Sequence, residues 1–140
     1  MIVEFKLMSS TAKVPTRAYE RASGWDCYYD GDPVMLIPGK ICRAKLGIAI
    51  AIPVGYEAQI RPRSGLTDLG LLVHIGTIDS DYRGEISAIV QNVTRDKVLS
   101  IRPDMRICQL VFARVPPSIF VEATTLSTTL RGDRGFGSSG

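Results

Sequence analysis

Short apolar runs, many of them β-branched, alternate with turn signals along most of the chain, at the period of two that a half-buried strand requires. In the stretch 48–52, Ile48, Ile50 and Ile52 share one face while Ala49 and Ala51 take the other. Both faces are apolar, which predicts a strand covered on both sides, with part of that cover supplied by a second subunit. Tyr56, Ala58 and Ile60 alternate with Glu57, Gln59 and Arg61, as in a strand with one wet face. Stretches 85–93, 97–101, 107–115 and 119–123 continue the series. Between them fall Asp30-Gly31-Asp32-Pro33, Pro38-Gly39, Pro53-Val54-Gly55, Arg102-Pro103-Asp104 and Pro116-Pro117, all turn chemistry. Helical periodicity is confined to 66–71, behind Ser64-Gly65, with Ser64 as the expected N-cap. There is no internal repeat and no domain boundary. The pattern predicts one all-β domain of sandwich or barrel type over residues 1–130. Residues 131–140 are expected to form a flexible arm, because their four Gly and two Ser offer little to pack.

Composition narrows the function classes. At 140 residues the chain can bury a real core, and 45% hydrophobic against 22% charged residues excludes wholesale disorder. A net charge of +3 is too small to imply a nucleic acid or a membrane, and neither is expected as a partner. The basic residues are 12 Arg against 5 Lys, a bias toward the planar donor fork that suits phosphate or carboxylate. Cys27, Cys42 and Cys108 fit neither a disulfide framework nor a zinc spacing, which points to a reducing compartment such as the cytoplasm, or a host cytoplasm if the source is viral. His74 is the only histidine, so a His-based metal centre or nucleophile would rest on it alone; it reads as an ordinary loop or strand residue. The first residues lack a basic region and a long apolar run, so no signal peptide is expected.

Three segments carry chemistry. Arg61-Pro62-Arg63-Ser64-Gly65-Leu66 places guanidinium, hydroxyl and helix-start amides together, which suits an anion or merely a capped turn. The segment 76–86, from Gly76 to Ile86, sets Asp79, Asp81 and Tyr82 at what reads as a hairpin tip between two glycines. A carboxylate there suits a held water and the phenol ring a flat wall; the plainer alternative is an acidic turn, with Asp81 and Glu85 paired to Arg83 or other surface charges. The final RGDRGFGSSG combines Arg, Ser, Gly and one Phe, chemistry that could wrap a phosphate and stack on a base, or form an unstructured tail.

Taken in order, ASGWDCYY (22–29), PRSGL (62–66), GTIDSDYRGEI (76–86), RICQLVF (106–112) and RGDRGFGSSG (131–140) resemble the five motifs of the trimeric dUTPase family. The resemblance implies a distorted β-barrel of jelly-roll type with one short helix, assembled as a homotrimer with shared sites, that hydrolyses dUTP to dUMP and pyrophosphate with Mg²⁺. It implies that Asp79 positions the attacking water and bonds the sugar 3′-hydroxyl, and that Tyr82 packs on the deoxyribose. Main chain around Val73, Thr77, Ile78 and Ser87 would read the uracil. Arg63, Ser64, Gly65 and Gln109 would hold the phosphates, and Arg131, Ser138 and Ser139 would clamp their far end. Phe136, beside Gly137, would cover the base, and Asp26 would act on Mg²⁺ through water. Three positions depart from the pattern: Arg134 where the fifth motif has Gly, Trp25 where Tyr or Phe is usual, and Val73 where some members have Asn. The rivals are a dCTP deaminase on the same fold, which needs a different third motif, and a regulatory module that binds another, unknown protein.

Overall fold

A computed structural model describes residues 1–135 and holds eleven strands and one helix among them. The strands are β1 (Glu4–Leu7), β2 (Gly24–Tyr28), β3 (Val34–Leu36), β4 (Ile41–Lys45), β5 (Ile48–Ala51), β6 (Tyr56–Arg61), β7 (Leu71–Val73), β8 (Gly76–Ile78), β9 (Ser87–Asn92), β10 (Leu99–Ile101) and β11 (Arg106–Arg114); α1 is Ser64–Asp68. They pair as four small antiparallel sheets ordered β2-β11-β6-β8, β4-β9-β7, β1-β5 and β3-β10. Such short strands cannot each bury a face alone; the sheets fold over one apolar core built from Leu36, Leu46, Ile48, Ile60, Ile86, Val90, Ile101, Ile107 and Leu110, among others. No helix of the described residues is long and apolar enough to cross a membrane.

The alternating pattern is borne out where it was strongest. On β6, Ala58 and Ile60 are buried and Arg61 is exposed. On β9, Ala88, Val90 and Asn92 point inward while Ile89 points out. In β5, Ile48, Ala49 and Ile50 are all buried, but within a single chain, so its two apolar faces do not call for a second subunit. Asn92 is the one fully buried polar residue of the core among those described, and it is fully bonded. Its amide donates to the carbonyls of Leu36 and Lys97, both at 2.7 Å, and accepts from the Thr94 amide and hydroxyl at 2.9 and 2.7 Å. This one side chain stitches β9 to the β3–β10 sheet, where a hydrophobic residue would leave the Leu36 carbonyl without its side-chain donor and the Lys97 carbonyl with Thr94 alone.

Four expectations are corrected. The helix starts earlier than 66–71, with Arg63 at its N-cap and no side-chain cap bond, so Ser64 is a helical residue rather than the cap. It stops at Leu69 because Gly70 takes φ +88°, after which Leu71 opens β7. Residues 119–123 form no strand; Ile119, Phe120 and Val121 stand fully in solvent. The segment 76–86 is no hairpin, because β8 pairs with β6 and β9 with β4 and β7, in two different sheets.

Candidate active site

The crossover between those two sheets shapes a pocket of about 270 Å³. Its walls are Ile60, Ile78, Ile86 and Ile89, with Thr77, Ser87, Asp79, Tyr82, Glu85 and Arg43 around them. After β8 the chain must turn to reach β9, and it does so in a tight turn in which the Tyr82 amide donates to the Asp79 carbonyl at 3.2 Å. The Arg83 guanidinium clamps this turn by donating to the carbonyls of Ser80 and Tyr82 at 2.6 and 2.8 Å. Asp79 and Tyr82 are therefore held three residues apart at the pocket's mouth, both exposed. The Tyr82 hydroxyl donates to the Glu85 carbonyl at 3.1 Å, and the ring lies over Gly84, where a Cβ would come within 2.4 Å of that hydroxyl. Gly84 thus clears the space in which the ring rests. Of the two expected kinds of charge partner, Glu85 takes another surface charge, Lys45 at 3.5 Å, while Arg83 serves main-chain carbonyls instead.

A second cluster, around a pocket of about 290 Å³, gathers Asp26, Arg63, Ser64, Gly65 and Gln109. Strand pairing explains it: Asp26 on β2 sits across from Gln109 on β11, and Gln109 across from Arg61 at the end of β6, which leads directly into Arg63. The Asp26 carboxylate accepts from Arg63 Nε at 2.9 Å and from Arg106 at 3.1 Å, while Arg63 also donates to the Arg106 carbonyl at 2.7 Å. Gln109 donates to the Pro62 carbonyl at 2.9 Å. Opposing charge on both carboxylate oxygens fixes Asp26, and Asp26 in turn fixes two guanidinium groups beside the helix start. Together these residues present donors to an anion.

The two clusters share no lining residue. Asp26 and Thr77 belong to the two outer strands of one four-stranded sheet, three strand spacings or roughly 14 Å apart. Val73 joins neither: its side chain is buried and its backbone runs opposite Val90 in the β7–β9 ladder. Arg131 lies in a small turn, its guanidinium bonded to the Arg134 carbonyl at 3.0 Å, away from both clusters in this chain. Phe136, Gly137, Ser138 and Ser139 fall outside the described residues. Sequence reasoning missed Arg106 and Arg43. Arg106 stands inside the fourth motif, three residues before Gln109, and could have been flagged from the twelve arginines; Arg43 had no signal beyond its charge. Among the described residues no group of three or more His, Cys, Asp or Glu side chains could hold a metal ion unaided.

An all-β fold with an apolar, carboxylate-edged pocket and a separate arginine-rich anion ledge defines a nucleotide-binding protein of β-barrel architecture. The sequence profile of the dUTPase family matches residues 10–140. A deoxyuridine 5'-triphosphate nucleotidohydrolase from Hydrogenobaculum is 45% identical over 138 residues, covering 96% of this chain and 95% of the relative. The dUTPase of Staphylococcus bacteriophage 80alpha with dUPNHPP superposes with a TM-score of 0.91 at 25% identity, covering 99% of this chain and 98% of that one. A dUTPase mutant from phage phi11 of S. aureus, described as coordinating a structural Mg(II) ion, superposes with a TM-score of 0.81 at 20% identity over 89% of this chain and 98% of that one. The chain belongs to the dUTPase family.

Proposed function

We propose that this protein hydrolyses dUTP to dUMP and pyrophosphate by attack of water on the α-phosphorus. The observation that carries the proposal is the turn that holds Asp79 and Tyr82 together at the mouth of an isoleucine-walled pocket. The flat apolar walls take the base, and main-chain groups of Thr77, Ile78 and Ser87 read its edge. Tyr82 lies against the deoxyribose and leaves no room for a 2′-hydroxyl. Asp79 bonds the 3′-hydroxyl and holds the attacking water, taking its proton as the new bond to phosphorus forms and the bond to the departing pyrophosphate breaks. Phosphoryl transfer asks mainly for positioning and for neutralised charge. Arg63, Ser64, Gly65 and Gln109 supply both, with Arg131, Ser138 and Ser139 on the distal phosphates and Phe136 and Gly137 over the base.

The donor set suits Mg²⁺ in an outer role. Asp26 spends one lone pair of each oxygen on Arg63 and Arg106, which leaves others to accept from a metal-bound water. Mg²⁺ would supply positive charge to offset that of the triphosphate, with Asp26 holding it through water.

The assembly is a homotrimer in which the nucleoside pocket of one chain meets the anion ledge of a neighbour. Two features support it: the clusters lie at opposite edges of a sheet, and Ile119, Phe120, Val121, Leu126 and Leu130 stand exposed on a segment without sheet partners. Residues 131–140 close over the triphosphate. No nucleic acid or membrane takes part.

The test is pyrophosphate release across dUTP, dTTP, dCTP and UTP, with Asp79→Asn alongside. Only dUTP should turn over quickly, and the variant should bind nucleotide while kcat falls by ~10²-fold or more. Turnover of the variant near the wild-type rate would remove Asp79 from its role.

A further inference from the structure

Arg43 is the one cation among the residues lining the nucleoside pocket, and the mechanism above gives it no task. Its position follows from register. On β4 it stands directly opposite Ile89 of β9, and Ile89 and Ser87 line the same pocket. Directly opposed residues of an antiparallel pair share a face at about 5 Å. The alternation of β4 turns Ala44 into the core and leaves Arg43 and Lys45 outside. Arg43 therefore rises beside Ile89, on the apolar wall suited to a flat base. Lys45, on the same face, reaches Glu85 at 3.5 Å, so that carboxylate already has a cation. Arg43 makes no ion pair among the described residues. The cations that suit phosphate, Arg63 and Arg106, stand in the other cluster, around Asp26.

We propose that Arg43 reads the pyrimidine: its guanidinium donates to a ring carbonyl oxygen and disfavours an exocyclic amino group in that place. The inference rests on the dUTP reading and adds a side-chain contact to it. A guanidinium has five donors and no acceptor, so it can reward a carbonyl but never an amino group. Two donors brought together in a partly dry pocket leave both unpaired, which costs more than the bond would have gained. At the 4-position uracil offers a carbonyl and cytosine an amine, and the neighbouring N3 changes with it from donor to acceptor.

The experiment compares wild type, Arg43→Met and Arg43→Lys in the full-length protein. Equilibrium binding is measured for dUMP, dCMP and inorganic pyrophosphate, with melting temperature as the control for folding. The two monophosphates carry the same phosphate, so their ratio isolates the base. Arg43→Met keeps the length of the side chain and removes every donor. It should lower the dUMP-over-dCMP preference by ~10-fold, the scale of one hydrogen bond to a charged group, and leave pyrophosphate binding unchanged. Arg43→Lys should restore part of the preference. An unchanged ratio in Arg43→Met overturns the proposal, and so does a loss confined to pyrophosphate, which would put the guanidinium on the phosphates. If wild type hydrolyses dUTP and prefers dUMP while Arg43→Met does too, only this inference falls. If wild type neither binds nor hydrolyses a deoxyuridine nucleotide, the dUTP reading falls with it.

Discussion

Adding a single methyl group at Gly24 should disable the anion ledge while leaving the fold intact. Gly24 lies on β2, and the side chain of Gln109 from β11 lies across it. A Cβ built there would sit 1.8 Å from the Gln109 Oε1, 2.7 Å from its Cδ and 3.2 Å from its Cβ. Ordinary contact needs roughly 3.5 Å, so the amide must withdraw by about 1.5 Å. It cannot do so and keep its 2.9 Å bond to the Pro62 carbonyl. The stability loss is small, about 1 kcal/mol for one half-exposed bond, because the clash falls on the end of a flexible side chain rather than on backbone. The functional loss is larger, since displacement of a positioning group by about 1 Å can cost ~10²-fold in rate. Steady-state kinetics of Gly24→Ala on dUTP should show kcat/KM down by ~10–10²-fold with the melting temperature within a few degrees of wild type. The double variant Gly24→Ala with Gln109→Ala should be little worse than Gln109→Ala alone, because the amide that the methyl group displaces is gone and only the Cβ at 3.2 Å remains. A Gly24→Ala enzyme with wild-type kcat/KM refutes the reasoning, and additive losses in the double variant would mean that the methyl group acts on the strand pair instead.

Asn92→Asp replaces the two donors that serve the Leu36 and Lys97 carbonyls with a group that repels them; unfolding should become easier by about 3 kcal/mol, or ~10 °C in Tm, with activity at low temperature retained. The thiol of Cys27 is held well above its ordinary range, first by the neighbouring free thiol of Cys108 and then by burial, and burial likewise raises the Tyr29 phenol. Each keeps its proton in the fold where the unfolded chain gives it up. Stability should thus be unaffected by these groups below about pH 8 and fall above it, by at most about 1.4 kcal/mol per pH unit per group. Urea midpoints from pH 7 to 10 should show a shallower decline in Cys27→Ala than in wild type; equal slopes would contradict the assignment. Deleting residues 131–140 should leave Tm almost unchanged and nearly abolish turnover, as read by calorimetry and pyrophosphate release.

The alternation of apolar and polar residues located β6, β9 and β11 because each is long enough to show a period of two, and the three residues of β10 fell inside the stretch 97–101. Strands β3, β7 and β8 have three residues each, too few to show any period, and β1 is exposed throughout. Residues 119–123 have strand composition but no partner within the chain, and local pattern cannot report a missing partner. The supposed hairpin failed for a related reason: Gly76 and Gly84 signalled a tight turn correctly, but only long-range pairing decides which sheet each arm joins. In the site, Asp79 and Tyr82 were legible because one turn carries both. The Asp26–Arg63–Arg106 network was not, since its members lie 37 and 80 residues apart. Arg43 was silent, as any charge on the wet face of a strand is.

The division of the site into two unconnected clusters has a genetic meaning. Under the cyclic assembly proposed above, a chain crippled at Arg63 still offers a sound pocket, and a chain crippled at Asp79 still offers a sound ledge. Each is inert by itself. Mixed at random, every trimer that contains both kinds has one junction where a sound pocket faces a sound ledge, so activity reappears from two dead parents. A cell that inherits two differently damaged copies would be rescued by complementation between alleles, whereas two copies damaged in the same cluster would not be.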